Sequence, residues 1–397
     1  MSTKTLRLLL GVSGGIAAYK IPFLIRQLTR LSVEVKVVLN EAAETLVGVE
    51  TLRAVSGNPV FGDTIAPTYD MDHIRLAEWA DVFLICPATA NTIAKIARGI
   101  ADNLLTTLAL SFNGMLMVAP AMNTVMWENP ATGDNIAVLK NRGIRVLPVA
   151  SGPLACGDDG PGRMIATETI VEYVLGAALP RCFTGRKILI ASGATAEPLD
   201  PVRVITNRSS GRMGAALAHA ALCMDADVTV VSGVSQTVMP EGITLEQVST
   251  TAEMAAALKK HFAGCDICIM AAAISDFRPK TPSGEKIQRP ADGILSLALE
   301  PNQDVAATLA RMKKNRFLVC FSLETDGGER RAAEKMQAKG CDMMVYNTVE
   351  DTLGKETAQV SILLPGEPSE KFGAMSKRDC ARNILLSIAR KLGLHHE

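Results

Sequence analysis

The 397-residue chain carries no surplus of charge: Lys and Arg number 41, and so do Asp and Glu. A balanced chain argues against nucleic acid or an anionic membrane as a partner. It leaves phosphorylated small molecules open, because a few local cations and backbone N–H groups suffice to hold them. No apolar stretch approaches the roughly 18 residues of a membrane span. Lys4 and Arg7 precede the apolar Leu8–Leu10, but Gly11, Gly14 and Gly15 interrupt that run and no small-residue cleavage site follows. A strand entering a glycine turn is expected there, and a cytoplasmic location with it. Nine cysteines in a chain this long fall short of a disulfide framework. Cys265 and Cys268 form a lone C-x-x-C, and strand geometry in the run CDICIMAAA sends them to opposite faces. His395 and His396 read as a tail rather than a ligand pair. Solenoid periods and low-complexity tracts are missing, as are the G-x-G-x-x-G and G-x-x-x-x-G-K-[ST] fingerprints.

What is present suits two buried cores: 48% of the residues are hydrophobic and 21% charged. The length favours two α/β domains over one. Each half opens with a short apolar strand, a Gly/Ser turn and a helical pattern, LRLLLGVSGGIAAYK and then KILIASGATAEPLD. Further strands are expected at VEVKVVL, DVFLICP, GMLMVAP and IRVLPV. In the second half they fall at DVTVVSG, TLEQVST, CDICIMAAA, RFLVCFS, DMMVYN and VSILLP. One helix is expected from Ala90 to about Leu110. Apolar strands alternating with helices imply two doubly wound parallel sheets. The boundary falls in LPRCFTGRK, where Pro180 ends a helix, giving domains 1–180 and 181–397.

In open parallel sheets, ligands bind at the carboxyl ends of the strands. Four segments of the first half fall there. GVSGG offers Ser13, Gly14 and backbone N–H groups to a phosphate, though any tight strand-to-helix turn favours glycine. CPATANT supplies Thr89, Asn91 and Thr92, either to a polar ligand or as an ordinary helix cap. His73 lies in DHIRLAEWAD, where a lone histidine is more often structural. APAMNTVMWENP places Asn123 in an apolar wall, and Cys156 lies in the glycine-rich, loop-like SGPLACGDDGPGRM.

PAMN followed by MW, the G-x-x-A-C-G-x-x-G-x-G-R-M loop and the upstream His73 together resemble the homo-oligomeric flavin-containing cysteine decarboxylases. The likeness is to the branch acting on phosphopantothenoylcysteine, and it spans residues 5–175. It implies a flavodoxin-like domain binding FMN through segments containing Ser13, Gly14, Thr89 and Asn91. It further implies His73 as the essential histidine near the flavin and Asn123 as holder of the substrate carboxylate. Cys156, on a flap, is the implied proton donor. In the implied chemistry the cysteinyl thiol is oxidised to a thioaldehyde that delocalises the electrons left by CO₂, and the enethiol is then reduced. A flap that excludes water suits that last step.

In the second half, NRSSGRMG at 207–214 is dense in donors ahead of a small-residue helix, with Ser209 or Ser210 available as its N-cap. AAAISDFRPK and EKIQR put Asp276 at a strand end and Lys286 on a flexible loop. With the preceding DPVR, these resemble the phosphopantothenate–cysteine ligases from about residue 186 to 390. The resemblance implies a Rossmann-like domain using CTP and Mg²⁺. It assigns Asn207 to an acyl-cytidylate intermediate, and Ala272, Asp276, Lys286, Asp304, Phe321, Lys335 and Lys339 to CTP. Gln288 and Arg289 stand where the family loop carries further lysines, and Ser322 and Leu323 where it has smaller residues. The metal's ligands are not specified.

Bacterial ligases of this kind are typically fused behind the decarboxylase, the order found here, so the two resemblances support one another. The implied assembly is a homo-oligomer with trimeric decarboxylase and dimeric ligase contacts, a dodecamer in all. Its substrates would be 4′-phosphopantothenate, cysteine and CTP, feeding coenzyme A biosynthesis. Two alternatives stand beside this reading: a decarboxylase with an impaired ligase half, and a non-enzymatic FMN-binding regulatory protein. A generic dinucleotide oxidoreductase lacks its fingerprint.

Overall fold

The computed structural model describes residues 5–62, 71–155, 157–289, 293, 295–324, 328–348 and 357–394. The chain divides into two compact units, residues 1–178 and 179–397.

The first unit is built on six strands: β1 (Arg7–Val12), β2 (Glu34–Leu39), β3 (Val60–Phe61), β4 (Val82–Ala88), β5 (Met115–Pro120) and β6 (Arg145–Val146). Their order is β3-β2-β1-β4-β5-β6, with every pair parallel. Leaving aside the two-residue edge strand β3, this is the flavodoxin-like order. Leu8, Leu9 and Leu10 are fully buried, as is nearly all of β4, because helices cover both faces. Helix Ile21–Arg30 shows how: Ile21, Leu24, Ile25 and Leu28 recur at helical spacing and are its buried residues. Strands β7 (Val149–Pro153) and β8 (Asp159–Met164) form a separate antiparallel hairpin.

The single helix expected from Ala90 to Leu110 is two helices, Ala90–Arg98 and Leu104–Ser111. Gly99 takes a left-handed φ of 72° and closes the first. Asn103 opens the second, its side chain accepting from the Thr106 amide at 2.9 Å.

The second unit contains β9 (Lys187–Ser192), β10 (Ala196–Pro198), β11 (Val204–Thr206), β12 (Asp227–Ser232), β13 (Thr244–Gln247) and β14 (Ile267–Met270). These are followed by β15 (Phe277–Pro279), β16 (Leu299–Pro301), β17 (Phe317–Glu324), β18 (Met343–Thr348), β19 (Thr357–Ala358), β20 (Ser361–Leu363) and β21 (Glu370–Lys371). The eight-stranded sheet runs β13-β12-β9-β14-β17-β18-β20-β21. Its first six strands follow the Rossmann order, the chain winding outward from β9 in both directions. VSILLP departs from the all-parallel expectation. It supplies β20, which pairs antiparallel with β18 and with β21. Apolarity cannot report strand direction, which the connection decides. Cys268 is buried within β14, while Cys265 lies just before that strand and is half-buried. Outside the sheet, among the described residues, stand three antiparallel strand pairs: β10–β11, β15–β16, and β19 with Met375–Ser376.

Candidate functional sites

In the first unit, the turns after β1 and β4 are tied together by Ser13. Its hydroxyl is buried, donates to the Pro87 carbonyl at 2.7 Å and accepts from the Thr89 amide at 3.0 Å. That hydroxyl therefore shapes the ligand turn and is already engaged within the protein. Gly14 admits no side chain, since a Cβ there would lie 2.3 Å from that of Ala42. Thr89 caps helix Ala90–Arg98, accepting from the Thr92 amide at 3.3 Å and lying 3.1 Å from the Thr92 hydroxyl. The adjacent Asn91 is exposed in the first turn.

Asn123 sits beyond the neighbouring strand β5, whose exit is joined to that of β4 by the Ala121 amide bonding to Ala88 O at 3.0 Å. Its Oδ1 accepts from the Met126 amide at 2.9 Å, so it caps helix Thr124–Glu128. The β7–β8 hairpin docks directly on this residue. The Met122 amide donates to Gly162 O at 3.0 Å, and a Cβ on Gly162 would come within 2.5 Å of Met122 O. Cys156, between those two strands, lies outside the described residues. His73 is half-buried in the first turn of helix Asp72–Trp79, where its carbonyl accepts from Ser111 Oγ at 3.4 Å. Among the described residues no hydrogen bond joins it to Ser13, Thr89 or Asn123.

In the second unit, a cavity of about 740 Å³ opens where the turns after β11, β14 and β16 meet the C-terminal part of β17. It is lined by Asn207, Ala272, Asp276, Asp304, Phe321, Lys335 and Lys339. Asn207 donates its amide to the carbonyls of Ala273 (3.4 Å) and Ile274 (3.1 Å). Ala272 lies just past β14, and Asp276 lies beyond it, immediately before β15. Asp304 caps helix Val305–Met312 through the Ala307 amide at 2.9 Å and sits 3.9 Å from Lys339 Nζ. Lys335 and Lys339 are four residues apart on helix Gly328–Lys339, hence on one face, and Lys335 Nζ reaches Ser322 Oγ at 3.3 Å.

Two expectations change, and Lys286 stands apart from the other residues assigned to the nucleotide. Lys286 is exposed and is not part of the cavity lining. The loop carrying it is not free, being hydrogen-bonded to the β10–β11 turn. Neither Ser209 nor Ser210 caps helix Arg212–Cys223: the N-cap is Gly211, with a φ of 76°. A Cβ on Gly211 would lie 2.2 Å from Ser235 Oγ, so close packing as well as conformation requires glycine.

The cavity lining also contains three cations not singled out above, Arg208, Arg212 and Lys377. Arg212 and Lys377 each begin a helix, and those two helices pack together. Burial, and then the charge of Arg212, hold the Lys377 amine below its usual range. Lys377 carries no local signal in the sequence, because Arg212, whose charge acts on it, is more than a hundred positions away. Among the described residues no cluster of three or more His, Cys, Asp or Glu side chains could hold a metal, and no helix is long and apolar enough to cross a membrane.

Comparison with known proteins covers both units. A family model described as Flavoprotein matches residues 1–179, and one described as DNA/pantothenate metabolism flavoprotein C-terminal domain matches 183–392. The Coenzyme A biosynthesis bifunctional protein CoaBC of Vibrio cholerae is 42% identical over 347 residues, covering 86% of this chain and 87% of that protein. Its namesake from Vibrio vulnificus is 39% identical over 393 residues, 98% of each chain. The one from Mycobacterium tuberculosis is 40% identical over 359 residues, 86% of each. With both halves matched in order along most of its length, the chain belongs to the family of bifunctional coenzyme A biosynthesis proteins.

Proposed function

We propose that residues 1–180 carry an FMN-dependent decarboxylation of phosphopantothenoylcysteine, and residues 181–397 a CTP-dependent ligation of cysteine to 4′-phosphopantothenate. The chain is a bifunctional enzyme of coenzyme A biosynthesis with a decarboxylase half and a ligase half. The observation that carries the finer reading is the cavity of the second unit. It gathers Asn207, Ala272, Asp276, Asp304, Phe321, Lys335 and Lys339 from distant parts of the sequence.

In the ligase half, the carboxylate of 4′-phosphopantothenate attacks the α-phosphate of CTP and pyrophosphate leaves. The amine of cysteine then displaces CMP and forms the amide. Lys335, Lys339, Arg212 and Lys377 line the cavity, where they would offset charge on the phosphates. Mg²⁺ would be carried on the nucleotide's phosphates with one or two carboxylates, for which Asp276 and Asp304 are placed. The Asn207 amide is oriented by the carbonyls after β14 and offers a polar group to the activated carboxyl.

In the decarboxylase half, the turns after β1 and β4 and the exposed Asn91 fit a phosphorylated, polar-edged ligand. FMN, when bound, supplies reversible two-electron chemistry. Asn123 would orient the substrate carboxylate from the end of β5. The hairpin docked on it would carry Cys156 over the substrate as proton donor, with His73 as the further catalytic residue. The described cysteines are all free thiols, which supports a reducing, cytoplasmic setting. Exposed Ile16, Tyr19 and Phe23 on one unit, and Val202 and Phe277 on the other, support homo-oligomeric assembly, for which we retain the dodecamer.

Asn207→Asp tests the ligase assignment. The change is nearly isosteric but turns a donor into a carboxylate facing two carbonyl oxygens and an anionic substrate. CTP-dependent ligation should fall by roughly 10²–10³ while decarboxylation of ready-made phosphopantothenoylcysteine holds. Ligation at the wild-type rate would remove Asn207 from the chemistry, and a joint fall would argue against two separate sites.

A further inference from the structure

DPVR, residues 200–203, is not part of the lining of the second unit's cavity, yet it is tied to the loop that carries Lys286. Asp200 is buried in the turn between β10 and β11. Its Oδ1 accepts from the Val202 and Arg203 amides, both at 2.8 Å. Its Oδ2 reaches across to accept from the Ile287 amide at 3.2 Å. From the same turn, Arg203 Nη2 donates to the Ile287 carbonyl at 2.9 Å, and Arg203 Nε lies 3.7 Å from Asp200 Oδ2. Both polar groups of the residue after Lys286 are thus held by one turn.

A second tie lies just upstream, where the Ser283 amide donates to Leu199 O at 3.0 Å. Ser283 Oγ in turn donates to Glu285 O at 2.6 Å. The turn leads directly through β11 to Asn207. Lys286 and Asn207 therefore hang on one hydrogen-bonded frame, although Lys286 itself is exposed.

We propose that Asp200 is a positioning residue of the ligase: with Arg203 it clamps the Ile287 peptide and so fixes where Lys286 can reach. This rests on the contact with CTP that the likeness to the ligases implies for Lys286. Burial pushes the Asp200 pKa up, but the amides of Val202, Arg203 and Ile287 outweigh it and leave the carboxyl below its usual range. The clamp is therefore charged at neutral pH. An exposed lysine on a loop has many rotamers, and fixing the adjacent peptide removes much of the loop's share of that freedom. Displacing a catalytic group by ~1 Å can cost about 10²-fold in rate.

Asp200→Asn is the sharpest perturbation. Whichever way the amide turns, its NH₂ faces a backbone N–H where a carboxylate oxygen accepted before. The experiment measures the ligation rate of Asp200→Asn, Lys286→Ala and the double variant in the full chain. It also follows hydrogen exchange at the Ile287 amide and decarboxylation. We expect each single variant to lose up to about 100-fold in ligation kcat. The double variant should be no slower than Lys286→Ala alone, because a clamp has nothing left to position. Exchange at Ile287 should quicken and decarboxylation should stay at wild type. Arg203→Met, which releases the other side of the same peptide from an exposed position, should reproduce the pattern if Asp200→Asn folds poorly.

Additive losses in the double variant would overturn the clamp and make Asp200 merely structural. A wild-type rate in Asp200→Asn with Ile287 exchanging freely would also overturn it. Wild-type ligation by Lys286→Ala would instead sink the assignment of Lys286, and the clamp's purpose with it.

Discussion

Replacing Gly162 by Ala should uncouple the β7–β8 hairpin from Met122 and Asn123, on which it docks. Gly162 has a φ of 123°, a region that side chains rarely occupy and that costs about 1–3 kcal/mol to enforce. The added Cβ would lie 2.5 Å from Met122 O and 3.2 Å from Asn123 O, both closer than ordinary contact. Relieving that overlap pulls β8 away and breaks the 3.0 Å bond from the Met122 amide to Gly162 O, worth about 1 kcal/mol net. The sum is about 2–4 kcal/mol against the docked hairpin. At about 1.4 kcal/mol per decade, that is roughly a 30- to 1000-fold smaller docked population. Decarboxylation of supplied phosphopantothenoylcysteine should fall by a comparable factor, while CTP-dependent ligation stays unchanged. The assay follows CO₂ release and ligation on the same preparation, with bound flavin measured by absorbance. Wild-type CO₂ release from a correctly folded, flavin-loaded Gly162→Ala would refute the reasoning. Docking of this hairpin on Asn123 would then be irrelevant to the chemistry.

Two further outcomes are expected. Lys377→Met should weaken CTP binding by about 10-fold or more in calorimetry and CMP binding less, since charge-assisted contacts to phosphate contribute about 1.5–3 kcal/mol; equal affinities would show that Lys377 does not meet the phosphates. Asp200 has a folded pKa below its unfolded value, so its stabilisation is present above about pH 4 and is lost as pH falls through the lower folded pKa. Thermal unfolding followed between about pH 5 and pH 3 should show the loss, and Asp200→Asn should lessen it; an unchanged slope in the variant would deny Asp200 that part.

Much of the fold was legible in the sequence because parallel strands buried on both faces must be apolar throughout. Leu8–Leu10, Val82–Cys86 and Ile267–Met270 announce themselves in that way. The glycine turn after β1 and the donor-rich NRSSGRMG were equally visible, since tight turns and helix starts need particular residues within a few positions. The break at Gly99 was missed because helical periodicity resumes after it. The antiparallel course of β20 was missed because apolarity does not encode direction.

At the sites, the sequence by itself determined which residue types are available and, through their likeness to known motifs, the two reactions they suit. Only the tertiary structure decided that the Ser13 hydroxyl is engaged within the protein and that Arg212 and Lys377 share one cavity. It also decided that the loop of Lys286 is held by a turn more than eighty residues before it. Those outcomes depend on hydrogen bonds and Coulomb interactions between residues far apart along the chain. Their partners are set by how sheets and helices stack, and no local pattern of residues can report it.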